Sequence, residues 1–161
     1  MADLMDELMG GNGHGKGQTE PVEKEPPKIL RCPEAERIAR DLIQRYHGHL
    51  TNATILCLTT SQARKKKGKA VEATTKKTDP LLHHFSEADF IILIDETHWM
   101  YSEEDSKRAL IDRQLCYCGV DDRGKWVIWP TDVECFIAEV TRNGLWREDV
   151  RVFVEAARVH Q

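Results

Sequence analysis

Apolar residues recur at Ile38, Ala39, Leu42, Ile43 and Tyr46, the spacing that lines one face of a helix. Pro33 suits a first helical position, where a missing N–H costs nothing, and Gly48 suits a left-handed stop. A helix is therefore predicted over about 33–47. Residues 53–59, Ala-Thr-Ile-Leu-Cys-Leu-Thr, are β-branched and apolar and predict a strand. A basic loop follows, containing or leading into a weaker strand around 70–75. His83 and His84, shortly after Pro80, read as loop. Phe90–Asp95 predicts a second strand, and its unbroken apolar run implies burial on both faces and a central place in the sheet.

Ser102-Glu-Glu-Asp105 has the form of a capping box that starts a helix running to about Cys118. Gly119 to Gly124 makes a polar turn before a short strand over 125–129. A second capping box, Thr131 to Glu134, opens a helix with Val133, Phe136, Ile137 and Val140 on one face, ending at Asn143-Gly144. A last helix over about 147–158 aligns Val150, Phe153, Val154 and Ala157. The order predicts an α+β domain, a small mixed sheet packed with about four helices. Residues 1–28 are rich in Gly, acids and Pro with little to bury, and read as a disordered tail; 29–161 form the domain. Leu4, Met5 and Leu8 have helical spacing, but a solvated tail is the better reading of them.

Composition alters this picture little. At 40% hydrophobic and 31% charged, the chain is ordinary globular material. Its longest apolar run, Phe90–Ile94, is far too short to cross a membrane. Acids near the N-terminus do not suit a secretory signal, so a cytoplasmic location in a bacterial host cell is expected. The five cysteines are odd in number and lie mostly in apolar segments, which suits reduced, buried thiols. Charge is uneven. Between Arg64 and Lys77 seven bases face one acid, Glu72, leaving about −10 on the other 147 residues. Arg64, Lys65, Lys66, Lys67 and Lys69 are thus candidates for salt-sensitive nucleic-acid contact, although no aromatic residue interleaves them to stack bases. Trp99, Met100, Tyr101, Trp126 and Trp129 could anchor a protein interface; core packing accounts for them equally well.

The candidate chemistry lies in residues 109–120, Ala-Leu-Ile-Asp-Arg-Gln-Leu-Cys-Tyr-Cys-Gly-Val. Together with Leu42-Ile-Gln-Arg-Tyr-His-Gly-His-Leu50, Gly68-Lys69, Ala88-Asp-Phe-Ile-Ile-Leu-Ile94, Asp132-Val-Glu-Cys-Phe136 and Asn143-Gly-Leu-Trp-Arg147, they give the chain a likeness. From about residue 30 to 157 it resembles the putative phage metallopeptidase family, small zincin-like proteins. In that family Ala-Leu-Ile-Asp is followed by His-Glu-Leu-Cys-His, and a third His precedes Asp-Val-Glu. Two imidazoles one turn apart hold zinc, and the carboxylate takes a proton from metal-bound water. Carried over position by position, the resemblance puts ligands at Arg113, Tyr117 and Thr131 and the base at Gln114. A guanidinium never deprotonates, an amide has no basicity, a phenol is a poor ligand beside imidazole, and threonine offers a hydroxyl. The resemblance thus implies a degenerate zinc site: no catalytic residue, no metal ligand and no cofactor.

Without the resemblance, each residue has a plain explanation. Arg113 and Tyr117 stack as an i, i+4 pair, Gln114 sits on the surface, and Thr131 caps a helix. Cys116, Cys118 and Cys135 with His98 lack the paired knuckles of a structural zinc site, so buried thiols are preferred to ligands. His47 and His49 suit a helix end, where the dipole favours imidazolium. The function expected is a pseudoenzyme that binds a macromolecule, an unknown protein first and a nucleic acid second, with no membrane partner. Two alternatives stay open: an active hydrolase with displaced ligands among His98, Cys116 and Cys118, and a nucleic-acid-binding accessory protein using the Arg64–Lys69 loop.

Overall fold

The computed structural model describes residues 23–160. The expected tail falls mostly outside them; residues 23–28 are exposed and carry no regular element. In chain order the elements are β1 (Ile29–Arg31), α1 (Pro33–Tyr46), a 3-10 turn (Gly48–Leu50), β2 (Ile55–Thr60), β3 (Lys65–Lys66), β4 (Lys69–Ala70) and β5 (Ala73–Lys77). There follow α2 (Pro80–Ser86), β6 (Phe90–Asp95), α3 (Glu96–Tyr101), α4 (Glu104–Cys116), β7 (Cys118–Val120), β8 (Trp126–Ile128), α5 (Ile137–Asn143) and α6 (Glu148–Arg158). The fold is α+β, with six helices among the described residues rather than about four.

The main sheet has the order β1-β2-β6-β5. β2 and β6 run parallel, pairing Ile55 with Phe90 through Thr60 with Asp95, while β1 and β5 lie antiparallel on either side. β6 is interior, as its apolar run predicts. Its burial alternates, however: Phe90, Ile92 and Ile94 are fully buried and the residues between them are only half-buried. One face of the sheet carries the core, formed with Ala35, Ile38, Ala39 and Leu42 of α1 and Leu110, Ile111 and Leu115 of α4. Removing each large apolar side chain from water there contributes roughly 1.5–3 kcal/mol.

Three polar bridges run along the seam of α1 and α4. Glu34 accepts from Lys107 (3.1 Å), Asp41 pairs with Arg108 (2.6 Å), and His47 Nε2 donates to Asp112 Oδ1 (2.7 Å). The Lys107 ammonium, with Trp99 N–H, holds the Glu34 carboxyl below the usual carboxylate range, and Arg108 does the same for Asp41. A carboxyl depressed on folding stabilises above its unfolded pKa and loses that contribution as pH falls through its folded one. Acid titration is therefore expected to weaken the seam below about pH 4, and the paired variant Glu34→Gln, Asp41→Asn should flatten the dependence of urea midpoint on pH there. An unchanged slope would locate the acid sensitivity elsewhere.

Several sequence expectations are corrected. Residues 80–86 form a helix, not a loop: Asp79 Oδ1 accepts from Leu82 N (2.8 Å), with Pro80 in the first turn. α3 fills 96–101, so Ser102 ends one helix and does not cap the next. Its hydroxyl donates to the His98 carbonyl (2.6 Å), and α4 begins after Glu103 with no side-chain cap. Residues 131–136 are not helical, and the Thr131 capping box goes unused; α5 starts only at Ile137. Phe136 and Ile137 do not reach the core and are exposed. Cys32, Cys57 and Cys118 are buried free thiols as expected, whereas Cys116 and Cys135 are exposed.

Candidate functional site

α4 owes its two faces to its spacing. Leu110, Ile111, Gln114 and Leu115 turn inward, which leaves Asp112, Arg113 and Cys116 toward solvent. Gln114 is thus no surface residue; it is 3% exposed. The Thr75 hydroxyl on β5 lies 2.9 Å from its amide oxygen and 3.1 Å from its carbonyl oxygen, tying α4 to the edge of the sheet.

Two clefts flank this helix. The larger, about 1450 Å³, opens between α4, residues 129–135 and α5 and α6; Arg113, Tyr117 and Thr131 line it together. The smaller, about 480 Å³, runs between α4 and the β5 edge and is lined by Thr74, Thr75, Arg113, Gln114 and Tyr117 among others. Arg113 and Tyr117 therefore stand between the clefts, with Thr131 on one side and Gln114 on the other.

A short hairpin, β7 to β8, connects Tyr117 and Trp129, which both line the larger cleft. Trp129 stacks on His49 (ring centroids 4.9 Å apart), and its indole lies over Gly119, where a Cβ would come within 2.3 Å of the ring. His49 is itself fixed, donating from Nε2 to the Cys118 carbonyl (2.9 Å). Gly119→Ala is expected to push the indole off both partners at about 1–3 kcal/mol. The checks are a lowered urea midpoint and a red-shifted tryptophan emission; an unchanged spectrum would mean that the close contact is not used.

His47, Asp112 and Cys116 form the group the sequence did not reveal. Each offers one ligand atom, and these atoms all lie within 4.8 Å of one another. His47 is buried, placed where α1 gives way to the 3-10 turn, and Asp112 and Cys116 sit one turn apart on α4. Partial burial, then the nearby carboxylates of Asp112 and Asp132, push the Cys116 thiol above its ordinary range. His98 stands apart, 3.8 Å from Glu72, and Cys118 is buried with its sulfur 3.6 Å from the Gln114 carbonyl. Of the three displaced ligands the sequence suggested, only Cys116 belongs to this group. Asp112, adjacent to the motif, was legible only as part of the flanking tetrapeptide.

The basic segment is a hairpin of β3 and β4, turned by Lys67 (φ 51°) and Gly68 (φ 77°), both in the left-handed region. Lys65, Lys66, Lys67 and Lys69 are exposed. Arg64 is not free to join them: its guanidinium donates to Thr74 Oγ1 (2.6 Å) and the Leu93 carbonyl (2.9 Å). No helix among the described residues is long and apolar enough to cross a membrane.

A family model described as "Putative phage metallopeptidase" matches residues 28–158. Neither the curated proteins nor the solved structures contain a significant match. The family implies a metal, so the expectation of no cofactor is corrected: a His/Asp/Cys group of the right donor types is present. The donors at 113, 114, 117 and 131 do not suit zinc, being a cation, an amide, a phenol and an alcohol. The His47 imidazole at the end of α1 and, one position back along α4, the Asp112 carboxylate and Cys116 thiol are donor types that zinc takes.

Proposed function

The chain belongs to this phage metallopeptidase family, and from that premise we propose a zincin-like member that binds a protein partner instead of cleaving it. The observation that carries the reading is Gln114. At the family's general-base position stands an amide, buried and held by Thr75, which cannot accept a proton from water. Arg113, at the first ligand position, is exposed with a fixed positive charge. The antiparallel edge strand β5 beside the motif helix is consistent with a zincin-like arrangement, in which an extended polypeptide lies along an open sheet edge. We take residues 29–161 as one such domain, following a tail over 1–28, acting in the cytoplasm of a bacterial host. The lysines of the β3–β4 hairpin leave nucleic acid as a lesser partner.

Incubation of the full chain with casein and added zinc is expected to yield no fragments above background. Capture of a partner from the native host, abolished by Arg113→Glu, is the positive result. Chelator-sensitive cleavage would overturn the reading in favour of the second one, an active hydrolase with displaced ligands. The group at His47, Asp112 and Cys116 is the observation that favours it.

A further inference from the structure

We infer that this chain holds zinc one residue out of register with the family motif, on His47, Asp112 and Cys116. Asp112 and Cys116 repeat on α4 the i, i+4 spacing of positions 113 and 117, rotated by one residue toward α1. A third ligand then comes from the end of α1, where His47 is buried and already 2.7 Å from Asp112. The donor set is one nitrogen, one oxygen and one sulfur, all within 4.8 Å. That set suits a borderline-soft divalent ion such as zinc, whose bonds to such ligands run about 2.0–2.3 Å. Asp132, whose carboxylate acts on Cys116, lines the same cleft.

The 2.7 Å contact between His47 Nε2 and Asp112 Oδ1 brings the two donor atoms to one point. A metal held there would leave the His47 imidazole with its hydrogen on Nδ1 and would take the Cys116 thiol proton off as H⁺, so that imidazole, carboxylate and thiolate face the ion. The rotation also carries the position after the first ligand onto Arg113, a cation. The shifted centre thus again lacks a carboxylate beside its first ligand, in keeping with binding over hydrolysis.

Cobalt(II) titrated into the purified, metal-free full chain tests it. One cobalt per chain is expected, with a thiolate-to-cobalt charge-transfer band in the near ultraviolet. Cys116→Ser should abolish the band, and Asp112→Asn should weaken binding at least about tenfold, the usual scale for a lost ligand or its support. Both sites are solvent-facing enough for the variants to fold, which far-ultraviolet circular dichroism verifies. His98→Ala should leave the band intact. No cobalt uptake, or a band that survives Cys116→Ser, overturns the proposal. Casein cleavage and partner capture are read separately, so failure here is distinguishable from failure of the binding function.

Discussion

A chain carrying Arg113→His, Gln114→Glu, Tyr117→His and Thr131→His is expected to gain zinc affinity on the order of 10³-fold or more at the motif helix. The reason is geometric. Positions 113, on α4, and 117, which caps it, are one turn apart, and together with 131 they line a single cleft of about 1450 Å³. On the residue-by-residue carry-over of the family motif, the donors are what these four positions need. Arg113 is the worst obstacle, because its charge repels the ion as well as failing to ligate it. The measurement is competition with a chelator of known affinity in a Cys116→Ser background, so that the neighbouring His47, Asp112 and Cys116 group contributes nothing. With Gln114 left in place, the other three substitutions should bind zinc yet leave casein whole. Restoring the carboxylate beside Thr75 should then yield cleavage. No gain in affinity would show that position 131 does not reach the other two, and would break the residue-by-residue carry-over of the family motif onto this chain.

Where the chain pattern was strong, the fold was legible from local chemistry. Pro33 and the 38, 39, 42, 43, 46 stripe predict α1 nearly to its ends, and α6 begins within a residue of its expected start. β6 was legible because five apolar residues in a row need an interior strand. Failures came where two local signals compete. Asp79-Pro80 reads equally as a turn and as a cap with Pro in the first turn, and the helix won. Ser102 had the right partner for a capping box, but α3, unseen in the sequence, ends on it and engages its hydroxyl. Thr131 to Glu134 had the same form and no core to fold against, so α5 starts late and its apolar residues stay exposed. The family likeness was legible in the matching segments, and the match over residues 28–158 bears it out. His47 and Asp112 were not legible, because they are 65 residues apart. Only the packing of α1 on α4 brings them together, and no local pattern encodes that.

Ile111→Ala is expected to cost about 2–5 kcal/mol, a large part of the 5–15 kcal/mol that holds a typical domain folded. Ile111 is fully buried in the core beneath α4, in the cluster that includes Leu42, Ile92 and Leu115. It is the residue immediately before Asp112, so the anchor that fixes the helix also sets the direction of the candidate ligand. A cavity there lets α4 roll against the sheet, which should lengthen the contact between Asp112 and His47 as well as lower the urea midpoint. Ile111→Val removes one methylene and should cost about 0.5–1.5 kcal/mol, leaving the seam in place. The two effects separate in a metal titration. If α4 is held by this contact, the alanine variant loses cobalt affinity beyond its loss of stability, whereas the valine variant keeps it. Equal affinity in both, with the alanine variant well folded, would mean that His47 and Asp112 are held together by the polar seam of α1 and α4, and that the core packing beneath them is secondary.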